Sequence, residues 1–231
     1  MNEIELKNDS GRVISEKVHN IGIIALGSHR ENHGSSLPID TDSKIAANVA
    51  LKVATKTGAT FLGIFPAATE YDYVKHGIHL EKDELINEVM IPQLSTAQKY
   101  LNISKVIIVN GHGGNNLIKD EINKIEEKTG LTIIFNNSII ENEGPHACTG
   151  ELSMGKVLGF ADETRLKEHE NFEKHPEVGM VGIKLARKTE PIIDQEAKSI
   201  EEKGFKIDEN FGRKLLKNAE KSIINDLKSL L

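Results

Sequence analysis

The chain has 231 residues, 38% of them hydrophobic, and no Pro/Gly/Ser-rich run divides it, so one domain over residues 1–231 with a substantial core is expected. A formal net charge of −6 with mixed signs speaks against a nucleic-acid surface, and no apolar run approaches the roughly 18 residues needed to cross a bilayer. One cysteine excludes an internal disulfide framework, and the start MNEIELKNDSGR lacks the apolar centre of a signal peptide, so the cytoplasm is the expected compartment.

Residues 1–20 read as a polar, extended lead-in. The apolar run 21–26 is the first buried strand and stops at Gly27. A polar connection follows, and Asp42 or Ser43 can cap a helix whose Ile45, Val49 and Val53 recur at helical spacing up to Gly58. ATFLGIFP, 59–66, is a second strand with a proline stop. The segment 67–85 is a long connection rich in Tyr and His, and long connections in compact domains tend to be functional. Leu85, Ile86, Val89, Met90, Leu94, Ala97 and Leu101 mark an amphipathic helix kinked at Pro92. KVIIVN, 105–110, is a third strand that runs into GHGGN. A helix with Leu117, Ile118, Ile122 and Ile125 ends at Gly130, and LTIIFN, 131–136, is a fourth strand.

After the loop holding GPHACTGELSMG the pattern loosens, with a short apolar patch around Val178–Leu185. An amphipathic helix closes the chain through Phe211, Leu215, Ala219, Ile223 and Leu227. Strands alternating with helices predict an α/β three-layer sandwich, a mainly parallel sheet with helices on both faces.

In such sheets ligands bind beyond the carboxyl ends of the strands. Three polar clusters fall there: Glu31/His33/Asp42, the run Asn110 to Asn115 around His112, and His146 to Glu151. Two carboxylates and an imidazole on one short connection fit a metal centre for Zn, Mn or Fe(II), and read equally as a polar loop leading into a helix cap. The glycines around His112 invite a phosphate-cradling reading, but the third glycine of G-x-G-x-x-G and the P-loop Lys-Ser/Thr are both missing. A histidine between glycines suits a ligand that needs close backbone approach, or a hydrogen-bonded turn histidine. Glu151 is also a favourable first-turn residue of the next helix. Cys148 is more readily a small buried hydrophobe than a nucleophile, and Ser28, Ser35 and Ser36 lack the G-x-S-x-G elbow. Tyr71, Tyr73, His76 and His79 are candidates for substrate contact, or for packing on the edge of the domain.

Glu31-x-His33-Gly34, Leu37-Pro38 and Thr41-Asp42, then Asn110 to Asn115, then His146-Ala147 and Glu151 resemble, in order and spacing, three signature blocks of the creatininase family. The resemblance covers about residues 20–160. It implies a metal-dependent amidohydrolase of one α/β domain, often a homo-oligomer, holding two divalent ions at the carboxyl edge of the sheet. Carried over position by position, Glu31, His33, Asp42 and His112 are the implied metal ligands, with Asp42 bridging. Glu151 is an implied fifth ligand, and His146 the histidine that assists proton transfer.

The departures bear on substrate. Ser36 stands where the family commonly has a second histidine. Gly114 stands where creatinine-cleaving members carry a metal-binding glutamate, and the tryptophans those members use are absent here. The blocks at 27–42, 67–79 and 144–155 are similar to those of an archaeal branch that removes formate from a formylamino-pyrimidine ribonucleotide in riboflavin and coenzyme F420 biosynthesis. That resemblance implies Fe(II) as the ion, and a phosphate for which Arg30, Lys75 and His79 are the candidate partners. A creatinine-like cyclic amide hydrolase and a non-enzymatic metal binder are the rival readings.

Overall fold

The computed structural model describes residues 16–231. The lead-in expected over 1–20 lies outside the described residues up to position 15, and Glu16–Asn20 forms a 3-10 helix that enters the sheet.

Four strands form the sheet: β1 (Ile21–Leu26), β2 (Thr60–Ile64), β3 (Lys105–Asn110) and β4 (Thr132–Asn136). They pair in the order β2-β1-β3-β4, and all three pairings are parallel. Among the described residues the α-helices of eight residues or more are α1 (Thr41–Thr57), α2 (Ile91–Leu101), α3 (Ile122–Thr129), α4 (Thr149–Leu158), α5 (Pro191–Lys203) and α6 (Glu209–Ser229).

Parallel neighbours need crossovers, and crossover helices cover both faces, which is why the strands read as continuous apolar runs. Alternate side chains go to opposite sides. Ile21, Ile23 and Ala25 of β1 with Ile107 and Val109 of β3 pack against α1, α4 and α6. Ile24 and Leu26 with Val106 and Ile108 pack against α2 and α3. The architecture is thus an α/β three-layer sandwich. The chain leaves β1 for β2 on one side and then β3 for β4 on the other, so winding reverses between β1 and β3. That reversal opens a crevice at the carboxyl ends of these two strands, the place where open α/β sheets take their ligands.

Two local outcomes differ from the sequence expectation. Helix α1 begins at Thr41, so Asp42 and Ser43 lie inside its first turn, and Asp40 occupies the cap position without a side-chain cap bond. The Asp42 carboxylate is engaged by two histidines instead, and Thr41 Oγ1 donates to the Pro38 carbonyl. The helix over 82–101 is continuous but widens into a π-helical stretch, Leu85–Met90, just before Pro92. Pro92 has no N–H for the carbonyl four residues back, and the wider turn accommodates that loss. Beyond 161, a small cluster of Leu37, Ala147, Cys148, Leu152, Val178 and Ile200 seats the third polar block against the first.

Candidate metal centre

β1 and β3 end level with one another, Leu26 paired with Asn110. The loops that follow them therefore meet, and Gly111 is needed there: a Cβ would lie 2.7 Å from the Asp42 carbonyl oxygen and 2.9 Å from the Ala46 Cβ. Asn110 and Asn115 frame the turn. Asn110 Oδ1 accepts the His112 N–H and a bond from Asn115 Nδ2, while Asn110 Nδ2 donates to the His112 carbonyl.

Asp42 sits at the centre of the crevice with its two oxygens divided. Oδ1 is 2.9 Å from His33 Nε2, and Oδ2 is 3.0 Å from His112 Nδ1. Glu151 Oε2 joins the first side at 3.4 Å from His33 Nε2, and Glu31 Oε2 joins the second at 3.0 Å from His112 Nδ1. Each imidazole is held from behind. His33 Nδ1 donates to the Glu31 carbonyl at 3.0 Å, His112 Nε2 to the Thr69 carbonyl at 3.1 Å, and His146 Nε2 to the Asn32 carbonyl at 2.9 Å. A ring nitrogen that gives its proton to a backbone oxygen leaves the other nitrogen's lone pair free. His33 Nε2, His112 Nδ1 and His146 Nδ1 thus all present lone pairs inward. His146 Nδ1 stands 3.6 Å from Glu31 Oε1 and 3.8 Å from Glu151 Oε1.

This arrangement is electrostatically incomplete without a cation. Glu31 is 1% exposed, and neither of its oxygens has a directed hydrogen bond; Glu151 Oε2 is likewise buried without one. Burial works against charge on His33, yet the carboxylates of Asp42 and Glu151 outweigh it and push its pKa up to about 10. Burial opposes charge on His112 as well, and Glu31 and Asp42 carry it well above the usual imidazole range. Burial would raise Glu31, but His112, His76 and His79 hold it well below the usual carboxylate range. Burial lifts Glu151 to about 8 against the pull of His33. The inward nitrogens of His33 and His112 are drawing protons into positions where a metal ion would put its own charge. Carboxylate oxygen and imidazole nitrogen are the donors that Zn, Mn and Fe(II) take, so the residues fit the group.

Of the positions singled out from sequence, Glu31, His33, Asp42, His112, His146 and Glu151 converge. Ala147, at φ 54, turns its N–H onto Glu151 Oε1 at 3.1 Å, an unusual backbone conformation of the kind found at working sites. His79 stands beside the group, Nε2 3.7 Å from Glu31 Oε2, its ring stacked 5.1 Å from that of His112. Tyr71 lines the adjoining cavity of about 360 Å³. Tyr73 stacks on Tyr71 and donates to Glu190. Arg30 and Lys75 line a separate hollow with Ile39, His76 and Ile78, and no Lys or Arg lines the main cavity among the described residues.

Two groups, Glu143 and Glu70, were not marked from sequence, and a third, His76, was expected as a substrate contact. His76 Nε2 lies 2.5 Å from Glu31 Oε1. Glu143 lines the cavity, and burial, then the charges of Glu151 and Asp42, raise its pKa well above the usual range. Glu70 accepts the Tyr71 N–H and places Oε2 3.5 Å from His112 Nε2. Its carboxylate fills the space over Gly114, where a Cβ would lie 2.5 Å from Glu70 Oε1 and 2.7 Å from His112 Nε2. The position of Glu70 just beyond the second strand's end was the available signal.

Comparison with known proteins bears on the family and the fold. A family model described as creatinine amidohydrolase, creatininase, matches residues 12–219. A relative from Methanosphaera stadtmanae, named 2-amino-5-formylamino-6-ribosylaminopyrimidin-4(3H)-one 5'-monophosphate deformylase, is 70% identical over 100% of this chain and 99% of its own. Relatives of the same name from Methanothermus fervidus and Methanothermobacter thermautotrophicus are 52% and 51% identical, each over 99% of this chain and over 92% and 97% of their own. In fold, a zinc–zinc form of a creatininase variant aligns over 90% of both chains at 12% identity with a TM-score of 0.61. With the family model spanning most of the sequence and these relatives covering all but its edges, the chain belongs to the creatininase family.

Proposed function

We propose that this protein hydrolyses the formamide of 2-amino-5-formylamino-6-ribosylaminopyrimidin-4(3H)-one 5'-monophosphate, releasing formate, a step of riboflavin and coenzyme F420 biosynthesis. The observation that carries the substrate is the end-to-end identity with relatives bearing that name. The observation that supports the chemistry is the divided Asp42 carboxylate between two inward-facing imidazoles. Gly114 and the absence of Trp set the chain apart from the creatinine-cleaving pattern. We read residues 1–231 as one catalytic domain working in the cytoplasm as a homo-oligomer.

Glu31, His33, Asp42, His112 and Glu151 would hold two divalent ions, Fe(II) first, with Zn or Mn as substitutes. When bound, such ions lower the pKa of water towards about 7 and polarise a carbonyl, which an unreactive formamide requires. The chain's own residues supply orientation and proton traffic. Asp42 fixes the separation of the two halves, and the Glu31, Asn32 and Thr69 carbonyls lock the three rings in one tautomer. His146 is kept neutral by burial and by the nearby His33. Its Nδ1, unprotonated because Nε2 is committed to Asn32, can take the proton of the attacking water and pass it to the departing ring amine. Glu143, held protonated by its surroundings, is a second donor on the same cavity wall. Burial of the centre raises the strength of every one of these interactions.

The test is formate release from the phosphorylated substrate by anaerobically purified protein supplied with Fe(II), alongside metal analysis of the same sample. Stoichiometric metal with turnover is the expected result. A fully metallated protein that releases no formate yet opens creatinine would replace this reading with the cyclic-amide one, and one that turns over neither would leave a metal binder.

A further inference from the structure

The cavity has an end that this chemistry does not use. Part of its wall is built by Met180 and by Ile192, Ile193 and Glu196 of α5. Glu196 is half-buried, with no hydrogen bond or ion pair among the described residues, and burial raises its pKa. The other cavity carboxylates are accounted for. Glu31, Asp42 and Glu151 face the histidines, Glu70 accepts the Tyr71 N–H, Glu143 lies in the field of Glu151 and Asp42, and Glu141 is exposed at the rim. Asn116, which also lines the cavity, has a buried Oδ1 that no donor reaches. Glu196 and Asn116 Oδ1 are acceptors, so a ligand that pairs with them brings donors. A half-buried carboxylate without a partner is partly desolvated, and a ligand that arrives with N–H groups offsets that cost.

Resting on the deformylase reading above, we propose that Glu196 is the residue that selects the 2-aminopyrimidinone ring, its two oxygens receiving the ring N3–H and the 2-amino N–H as a bidentate pair. Positions 2 and 5 of a six-membered ring lie opposite one another. A formylamino group at position 5 set against Asp42 and His112 therefore sends the 2-amino group directly away from them, towards the far wall. Two parallel N–H donors match the two oxygens of one carboxylate in a way that a single hydroxyl or amide does not. Ile192, Ile193 and Met180 offer apolar surface to the ring faces in place of the missing tryptophans. The absence of Lys and Arg from the lining, among the described residues, turns the phosphate outwards to the mouth, which keeps the base end inside. Sites built to pair a substrate's N–H groups reject analogues lacking them far better than apolar pockets reject a missing methylene.

The experiment is steady-state formate release by the full-length, metal-loaded protein and its Glu196→Gln variant, on the phosphorylated substrate and on an analogue with hydrogen in place of the 2-amino group. The wild type is expected to favour the amino substrate by at least about a hundredfold in kcat/KM. Glu196→Gln should cut that preference by tenfold or more, the loss falling on KM, with metal content and melting temperature unchanged; Glu196→Asp should recover part of it. A Glu196→Gln protein that discriminates between the two substrates as the wild type does overturns the assignment. A wild type that releases formate from neither substrate sinks the deformylase reading itself, a result distinguishable from the first because it appears before any variant is made.

Discussion

The two ends of the cavity use the same side chains in opposite ways. At the sheet edge, Glu31, Asp42 and Glu151 are buried against imidazoles whose far nitrogens are pinned to backbone carbonyls, so every side chain has one permitted orientation. At the α5 wall, Glu196 has no hydrogen bond or ion pair among the described residues, and burial raises its pKa. The first end comes from three loops fixed by neighbouring strands, the second from one helix beyond the sheet. Rigid elements hold a reacting constellation, and a wall that meets the substrate's periphery can vary without disturbing it. With Glu196 selecting the ring as proposed, the family's chemistry and this chain's choice of substrate are separable for that reason.

The sharpest way to break the comparison is at its centre. Asp42→Asn keeps shape but removes the charge shared between His33 and His112. Metal content should fall, and activity should drop by about a thousandfold or more, since several kcal/mol of charge stabilisation at about 1.4 kcal/mol per tenfold are lost with it. Inductively coupled plasma analysis alongside turnover reads both. A variant with full metal and near-normal turnover would remove Asp42 from its central place.

Gly114→Ala tests the support rather than the ligands. The new Cβ would collide with Glu70 Oε1, the Thr69 carbonyl at 2.5 Å and His112 Nε2, disturbing the bond that fixes the His112 tautomer. Loss of such an orienting bond costs about 10- to 100-fold in metal affinity or activity. Metal titration of this variant should show that loss on the His112 side, and unaltered affinity would mean the Thr69 bond orients nothing.

The metal-free protein should betray its uncompensated charges through pH. The pKa values of His33 and Glu151 are raised on folding, to about 10 and about 8. Groups raised in the folded state contribute stability that is full below their unfolded pKa and lost as pH rises through the folded one. Between pH 7 and 10 the apoprotein should therefore melt progressively earlier, by at least about 3 °C, roughly 1 kcal/mol for a chain of this size. Added Zn(II) replaces the protons and should flatten that slope. A metal-free melting temperature constant over this range would count against the pairing.

How much of this was legible in the sequence follows from what each feature depends on. Strands β1 and β3 are apolar runs ending in glycine, and α1 and α6 carry their stripes openly, because burial on one or two faces dictates residue type directly. The convergence of Glu31, Asp42 and His112 follows from strands ending at one edge. Glu70, Glu143 and Glu196 were not legible. A glutamate in a loop or on a helix reads as solvated until the packing shows what covers it, and the long segment 67–81 is placed by isolated bridges, Glu31 with Gly77 and Thr69 with Leu80, and by side-chain bonds that sequence does not announce. The same limit applied to Arg30 and Lys75, whose proximity in sequence to Glu31 and His76 did not disclose that they line a different hollow.

The smallest effect is expected at Cys148, which lies between His146 and Glu151 of the third block. It is fully buried in the cluster with Leu37, Leu152 and Val178. Burial and then the charge of Glu151 push its thiol well above the usual range, so the thiolate that nucleophilic attack requires is disfavoured at any working pH. Iodoacetamide should label the native protein much more slowly than the unfolded chain. Cys148→Ala should keep activity within about twofold, losing at most the packing of one small side chain, about 1 kcal/mol. If a folded, metal-loaded Cys148→Ala protein were inactive, the attack would have to come from sulfur, and the neutral Nδ1 of His146 would be serving a thiol instead of a water.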